Sequence, residues 1–490
     1  MQPMATNKTV VFRVDGNQQL GLGHIMRCLT LAKRLHNGGF SILFICSQSS
    51  EGALSLVKNN HYDIAVIPFS DAAENDAKSC LDIIRGLDVV LVVTDHYMLD
   101  FCWEENLYSE LYSLLVIDDL ANRKHYCDVL VDSSYGRVSV DYDGLCNESC
   151  KLLLGSDYCL LRPEFRESVE VAVRKRQSCV RIQTVLINFG ATDHKGFSKK
   201  SVDILKLLNF DGHIRILLSS ASDSRRELED VCANTENVYL HLDEPNVPAL
   251  MLTADLAIGS VGTSSWERCC LGLPTIGIVV AANQLNIAAQ LENIGAMRLC
   301  EYESLTETLC DMVPNMNVPR WREMSDKSFK ICDGLGLERV VHNLMPGSVK
   351  VTLEEMSEND ESILYLWQCE PGNRRFSGTA LAPTREEHHA WFLASLKDTS
   401  RRMWLVMFDG VECGYVRLDC QGDGEEVSVL ISNKYRKLGL AYGAISELKT
   451  LGRFGVLNAR VSSENLASIS LFKKLEFMQV ANTDFKWVMP

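Results

Sequence analysis

No apolar run approaches the roughly 20 residues a helix needs to span a bilayer, so a membrane-spanning protein is not predicted. Positive charge is in deficit, with 49 Lys and Arg against 64 Asp and Glu and a formal net charge of −15. That balance argues against a partner with a phosphate backbone and against binding to an anionic membrane. The 18 cysteines include no Cys-x-x-Cys, and Cys269-Cys270 is their one adjacent pair. Neither a zinc site nor a disulfide framework follows, and reduced thiols in a cytoplasmic protein are expected. Met1 to Lys8 has no apolar core or cleavage pattern, so no signal peptide is expected.

At 490 residues, 46% hydrophobic and 23% charged, the chain is too long for one core, and about three domains are expected. Residues 9 to about 155 alternate short apolar runs, at 9–14, 41–46, 63–67, 89–94, 114–117 and 129–131, with segments of helical length. Such alternation predicts a parallel sheet covered on both faces, with ligands at the carboxyl ends of its strands. The first of those ends carries Asp15-Gly-Asn-Gln-Gln-Leu-Gly21-Leu-Gly23-His24-Ile-Met-Arg27. Ile25, Cys28, Leu29, Ala32 and Leu35 then recur at spacings of three and four, predicting a helix that Gly38 and Gly39 stop. Gly21 and Gly23 allow close approach of a ligand, and the helix start favours negative charge. His24 at that start is able to exchange protons near neutral pH, or to act only as a cap. Asp95-His96-Tyr97 and Asp118-Asp119 stand at two further strand ends, as helix caps or as members of the same cleft.

A second alternating unit has strands predicted at 183–188, 213–218, 238–242, 256–259 and 275–279. Phe189-Gly190-Ala191-Thr192-Asp193 follows the first of these as a ligand-capable turn. In Ile258-Gly-Ser-Val-Gly262-Thr263-Ser264-Ser-Trp-Glu267-Arg-Cys-Cys-Leu-Gly-Leu-Pro274 a strand ends and a helix starts near Thr263. Backbone N–H groups and hydroxyls there suit a diphosphate, and Glu267, one turn in, suits two ribose hydroxyls. The alternative is that these residues only cap the helix, with Glu267 as a capping-box partner. The amides of Asn283 and Gln284 follow the next strand, within reach of a sugar or base.

Taken together, Asp15…Gly-x-Gly-His24-x-x-Arg27, Gly262-Thr-Ser-Ser-Trp-Glu-Arg, Gly272-Leu-Pro and Ala-Asn283-Gln284 resemble the UDP-sugar hydrolases of pseudaminic acid biosynthesis over about residues 9–340. The resemblance implies two Rossmann-like domains in a MurG-like GT-B arrangement, at 8–158 and 159–345, the second binding UDP. It also implies hydrolysis of UDP-2,4-diacetamido-2,4,6-trideoxy-β-L-altropyranose to the free sugar and UDP. His24 would be the base that activates water, with Asp15, Tyr97 and Asn283 as further catalytic residues. Gly21, Gly23, Arg27, Asp95, Gly262, Thr263, Ser264, Glu267 and Gln284 would bind the UDP-sugar. Ala191 stands where two consecutive glycines are expected. A glycosyl diphosphate already has a good leaving group, so a positioned water, a base and donors to the diphosphate suffice, and no metal is required.

Met345-Pro-Gly-Ser-Val reads as a linker after a helical stretch at 321–344, and residues 349–490 change style. A helix at 384–396 carries His388 and His389, as substrate contacts or as helix-surface residues. Strands at 404–408, 412–418 and 426–431 alternate as an antiparallel meander. Arg436-Lys437-Leu438-Gly439-Leu440-Ala441 then opens a helix, and Asn465-x-x-Ser468-x-x-Leu471-Phe472-x-Lys474-Leu475-x-Phe477 falls on the last one. These two signatures, in this order, resemble the GNAT acetyltransferases and imply an α+β domain using acetyl-CoA as co-substrate. By that resemblance Ile431, Arg436, Lys437, Leu438, Gly439, Leu440, Ala441, Asn465, Ser468 and Phe472 would hold the cofactor. Phe472 stands where many of these enzymes carry a tyrosine that protonates the leaving thiolate, and Glu476 replaces a common glycine. Glu426 is either a proton relay from the acceptor amine or a solvent-facing strand carboxylate. The expected whole is a bifunctional enzyme acting on small molecules, its C-terminal domain acetylating the 4-amino group of the UDP-4-amino-4,6-dideoxy precursor. A GT-B glycosyltransferase, or a GNAT domain that binds acyl-CoA without turnover, are the alternatives.

Overall fold

The computed structural model describes residues 8–489, apart from 17–21, 109, 111, 194, 282–283, 302, 316–317, 346–349, 377–378, 380, 423 and 452–454 and the side chains of 313–315 and 318. Gly21, Asn283 and most of the expected linker therefore lie outside the described residues. The chain divides into two compact units between Val340 and Val341.

The first unit holds two parallel sheets. One consists of β1 (Thr9–Val14), β2 (Ser41–Ser47), β3 (Asp63–Ile67), β4 (Val89–Asp95), β5 (Leu114–Ile117), β6 (Val129–Asp132) and β7 (Lys151–Leu154), ordered β3-β2-β1-β4-β5-β6-β7. The other consists of β8 (Thr184–Asn188), β9 (His213–Leu218), β10 (Val238–Leu242), β11 (Leu256–Ser260), β12 (Thr275–Ile278) and β13 (Arg298–Cys300), ordered β10-β9-β8-β11-β12-β13. Every pairing in both sheets is parallel. The order turns back at β1/β4 in the first sheet and at β8/β11 in the second, and crevices for ligands open at such reversals. β1, β5, β6, β8 and β11 are buried along their whole length, which explains why they read as continuous apolar runs.

The helix Gly23–Asn37 follows β1 and buries Ile25, Cys28, Leu29, Leu31, Ala32 and Leu35, as its spacing predicts. Each such leucine or isoleucine contributes roughly 1.5–3 kcal/mol of burial, enough to fix His24 and Arg27 on a rigid element. The stretch read as one helix over 321–344 is two, Val318–Phe329 and Gly336–Leu344. Gly334 separates them in the left-handed region (φ +76°), a conformation that interrupts a helix.

The second unit is a mixed sheet of β14 (Thr352–Glu355), β15 (Arg401–Phe408), β16 (Val411–Gln421), β17 (Gly424–Ile431), β18 (Val456–Arg460), β19 (Met478–Gln479) and β20 (Asp484–Val488), ordered β14-β15-β16-β17-β18-β20-β19. Helices Glu361–Cys369 and Arg385–Lys397 cover one face, packing Leu364, Trp367 and Phe392 on Met403, Leu405, Met407 and Tyr415. No described helix is long and apolar enough to cross a membrane.

Candidate functional site

In the first unit the register sets Val14, the last residue of β1, beside Asp95, the last of β4. His24 and Arg27, three apart on the helix after β1, lie on one face and converge on Asp95. His24 Nδ1 is 2.6 Å from Asp95 Oδ1. Arg27 donates from Nε to Asp95 Oδ2 at 2.5 Å and from Nη2 to Oδ1 at 2.6 Å. Asp95 is 1% exposed, His24 9% and Arg27 8%. Burial alone would raise the Asp95 carboxyl, but Arg27 and His24 outweigh it and hold it well below the usual carboxylate range. With Asp95 ionised, its 2.6 Å contact assigns the imidazole proton to Nδ1 and leaves Nε2 with a lone pair.

His96 has the opposite polarity. Its Nδ1 accepts from the Met98 N–H at 3.2 Å, so Nε2 carries the proton and donates to Asp15 Oδ2 at 3.1 Å. His96 thus has no lone pair to offer, and the two neighbouring histidines differ in chemistry. Asp15 also accepts from the Ser47 N–H at 2.7 Å and from Arg13 Nη2 at 3.0 Å. Burial raises its carboxyl, while His96, Arg13 and Ser47 together bring it far below the usual range. Asp76, which accepts from Arg13 and from Trp103 Nε1, anchors this cluster in the core. Asp15 therefore braces the turn, and among the described residues its contacts do not include His24.

Tyr97 packs edge-on against the His24 ring, with centroids 4.5 Å apart. Its hydroxyl donates to Asp119 Oδ2 at 3.4 Å, an oxygen that also accepts from Arg27 Nη1 at 3.1 Å. Asp119 was visible as a strand-end carboxylate after β5, but nothing in its local sequence tied it to Arg27, 92 residues away. The Asp119 backbone carbonyl in turn accepts from Arg137, in the turn that follows β6.

The second sheet brings its own turn to this place. A Cβ added to Gly23 would stand 3.0 Å from Thr263 Oγ1, a tight contact that places the Thr263 side chain directly against this helix start. Thr263 is the N-cap of the helix Ser264–Cys270 and makes no side-chain cap bond, and the helix Gly23–Asn37 likewise starts uncapped at Leu22. Two helix starts that have no side-chain cap among the described residues are thus brought together, with no acidic residue in the first turn of Gly23–Asn37. The turn after β8 is different. There Asp193 accepts from the N–H groups of Phe197 and Ser198, so that helix start is already occupied by a carboxylate.

Buried Arg268 holds the Thr263 turn in shape, donating to Ser260 O (2.7 Å), Ser265 Oγ (3.0 Å) and Ser264 Oγ (3.2 Å). Desolvation pushes its guanidinium down to about 10. Glu267 projects from the same turn, its carboxyl raised by burial against the pull of Arg162 and Arg268. Among the described residues its carboxylate accepts no hydrogen bond. Gln284 Oε1 accepts from the Val280 N–H at 2.9 Å, and its amide nitrogen lies 3.6 Å from where a Cβ on Gly262 would stand. His24, Gly23, Arg27, Asp95, Tyr97, Thr263, Gly262 and Gln284 are thus brought into one region, with Ser264 and Glu267 on its wall.

In the second unit β17 pairs with β18 only at Glu425↔Leu457 and Glu426↔Asn458. Beyond Glu426 the two strands part, leaving Val427–Ile431 with an open edge on that side among the described residues. Ile431 ends β17, and a turn at Asn433–Tyr435 leads to Arg436 and Lys437. Gly439, at φ +74°, is the N-cap of the helix Leu440–Thr450 and makes no side-chain cap bond. Leu438 and Leu440 are buried and anchor the loop, while Arg436 and Lys437 stay exposed and Ala441 half-buried. Glu370 clamps the loop by accepting from Ser432 Oγ and the Asn433 N–H, both at 2.7 Å, and Arg436 donates to Asn373. Asn465 Oδ1 caps its helix through the Ser468 N–H at 3.1 Å. Phe472 is buried against Phe477 and Phe485, at 5.0 and 6.0 Å, so it serves the aromatic core. Glu426 lies opposite Asp419 and Asn458, where β17 and β18 separate.

Comparisons with known proteins agree with both halves. The model of the acetyltransferase (GNAT) domain matches residues 350–478. The UDP-2,4-diacetamido-2,4,6-trideoxy-beta-L-altropyranose hydrolase of Campylobacter jejuni is 26% identical over 287 residues, covering 58% of this chain and 97% of that protein. An uncharacterised protein of Methanocaldococcus jannaschii is 23% identical over 480 residues, 94% of this chain and 95% of its own. The crystal structure of Acinetobacter baumannii MurG, at 16% identity, superposes with a TM-score of 0.53 over 69% of this chain and 99% of that one, which shows the fold. The chain thus joins a MurG-like GT-B unit, similar in sequence to a UDP-sugar hydrolase, to a GNAT acetyltransferase domain.

Proposed function

We propose that the first unit hydrolyses UDP-2,4-diacetamido-2,4,6-trideoxy-β-L-altropyranose to the free sugar and UDP. The observation that carries this reading is the Asp95–His24 pair, which leaves Nε2 as a base beside two uncapped helix starts. His24 Nε2 takes a proton from water as the water oxygen displaces UDP from the anomeric carbon. The helix starts at Gly23 and at the Thr263 turn receive the diphosphate and the charge that grows on it. Glu267 accepts from the ribose hydroxyls, and Gln284 faces the bound nucleotide. Tyr97 keeps the His24 ring in place, and Arg27 keeps Asp95 ionised. Asn283 contributes a contact to the sugar, and Gly21 a close backbone approach.

The second unit transfers acetyl from acetyl-CoA to the 4-amino group of UDP-4-amino-4,6-dideoxy-N-acetyl-β-L-altrosamine. Its product is then the substrate of the first unit. The loop from Arg436 to Ala441, ending in an uncapped helix start at Gly439, supports cofactor pyrophosphate binding, and the open edge of β17 supports pairing with an amide-bearing pantetheine arm. Glu426 is the strand carboxylate nearest the parting of β17 and β18.

One assay tests both halves. The 4-amino nucleotide sugar is supplied with acetyl-CoA, and products are followed by mass spectrometry and NMR. The wild type is expected to release UDP and the diacetamido sugar, and His24→Ala to accumulate the acetylated nucleotide sugar. Acetylation without UDP release from the wild type would replace the hydrolase reading with a transferase acting on an acceptor hydroxyl.

A further inference from the structure

His388, one of the two histidines expected as substrate contacts or helix-surface residues, is not on the surface, and it has an unclaimed nitrogen. His388, in the first turn of the helix Arg385–Lys397, is 1% exposed. Its Nδ1 lies 3.1 Å from Glu361 Oε1, and its Nε2 is buried without a hydrogen-bond partner. Glu361 is held as the ionised partner, for it also accepts from Arg385 Nη2 at 3.2 Å and lies 3.8 Å from His389 Nδ1. Its carboxyl is lowered, the burial effect being outweighed by His388, Arg385 and His389. The proton therefore sits on Nδ1 and the lone pair on Nε2, as in the Asp95–His24 pair of the first unit. A buried polar atom left unpaired is destabilising, so its retention needs an explanation beyond packing.

The surroundings connect this nitrogen to the open end of β17. Tyr365 and Trp391 flank the ring at 5.2 and 5.6 Å, and Phe392 stacks on it at 6.1 Å. Phe392 shares one buried cluster with Tyr415, and Trp391 and Leu430 of β17 pack against that cluster. Arg374, between the two helices, donates to Gln368 Oε1 at 2.8 Å. Tyr415 lies opposite Leu430 in the register, one residue before β17 ends at Ile431. Glu426 is four residues earlier on β17, about 13 Å along the strand from Leu430.

We infer that His388, oriented by Glu361, is the general base that removes a proton from the acceptor amine in acetyl transfer. The inference rests on the acetyltransferase reading above. His388 Nε2 takes a proton from the acceptor ammonium, leaving a neutral amine whose nitrogen attacks the thioester carbonyl. The C–N bond forms and the C–S bond breaks with its electron pair going to sulfur. The second proton of the new amide nitrogen passes to the departing thiolate, and the imidazolium returns its proton to solvent. The charged and titratable groups facing the ring are Glu361 and Tyr365 on the preceding helix, Arg385 and His389 on its own, and Arg374 on the connection between them. Burial lowers the imidazole, with Glu361 opposing and Arg385 and Arg374 assisting, so the ring stays in its base form at neutral pH.

The test follows acetyl-CoA consumption by the full-length protein with the 4-amino nucleotide sugar across pH, for wild type, His388→Gln, Glu361→Gln and Glu426→Gln. His388→Gln is expected to lower kcat about 100-fold at neutral pH, with the KM for acetyl-CoA unchanged. Its deficit should shrink as pH rises past the pKa of the acceptor amine, where no base is needed. Glu361→Gln, which leaves the ring in place, should shift the acid limb of the profile. A deficit equal at every pH would make His388 structural and overturn the inference. So would loss of the acid limb in Glu426→Gln with its retention in His388→Gln. No acetyl-CoA consumption by the wild type would instead overturn the acetyltransferase reading itself.

Discussion

At the residue scale, His24 and His96 lie at adjacent strand ends yet have opposite tautomers, because each is fixed by its partner. Asp95→Asn would present His24 with a neutral amide able to donate as well as accept, removing the assignment of the proton to Nδ1. We expect a fall of about 10²–10⁴-fold in UDP release, measured by steady-state kinetics, and a lower melting temperature because buried Arg27 loses its ionised partner. The same carboxylates tie stability to pH. Asp95 and Asp15 both have folded pKa values depressed below the ordinary value of about 3.9. Their contribution is fully present above that value and is lost as pH falls toward the folded ones. Urea unfolding between pH 3 and 6 should therefore show stability rising with pH, with a flatter slope in Asp95→Asn. His24, Arg27, Asp95 and Tyr97 were legible because a strand-turn-helix pattern and strand ends announce themselves locally. The bracing role of Asp15 and the share of Asp119 in Arg27 were not, because both depend on partners fixed only by sheet order.

At the element scale, local chemistry set what could be read. Thr384 and Glu387 form a reciprocal capping box, so the helix Arg385–Lys397 begins within one residue of the expected place. The strands β13 and β19 have three and two residues, too short for an alternation to show. The helix Leu466–Lys474 illustrates both ends of an element. Its start is capped by Asn465, and Asn465→Ala should cost about 1 kcal/mol in chemical denaturation. After its end Glu476 sits at φ +63°, the left-handed region where a side chain meets the carbonyl. Glycine, common there in GNAT domains, would remove that strain but lose more entropy on folding. Glu476→Gly should stabilise the second unit by up to about 1 kcal/mol, read as a rise in its melting temperature.

At the scale of the whole molecule, the chain divides at Val340/Val341 into two compact units. Each unit has its own sheet system and its own buried clusters, so each supplies its own cooperativity. A ligand that binds only the folded form stabilises what it binds, by about 2.7 kcal/mol at 100 times its Kd. On the proposed reading UDP binds at the Thr263 turn and should raise the transition of the first unit the more. Acetyl-CoA, on the same reading bound by the Arg436–Ala441 loop, should raise that of the second the more. Calorimetry of the full chain with each ligand, and with both, separates this arrangement from a coupled one. Two independent shifts that add would mean that the units exchange an intermediate without sharing a binding equilibrium. An equal shift of both transitions by either ligand would mean that occupancy of one site is felt at the other, and the sequential scheme would then need a coupling free energy between them.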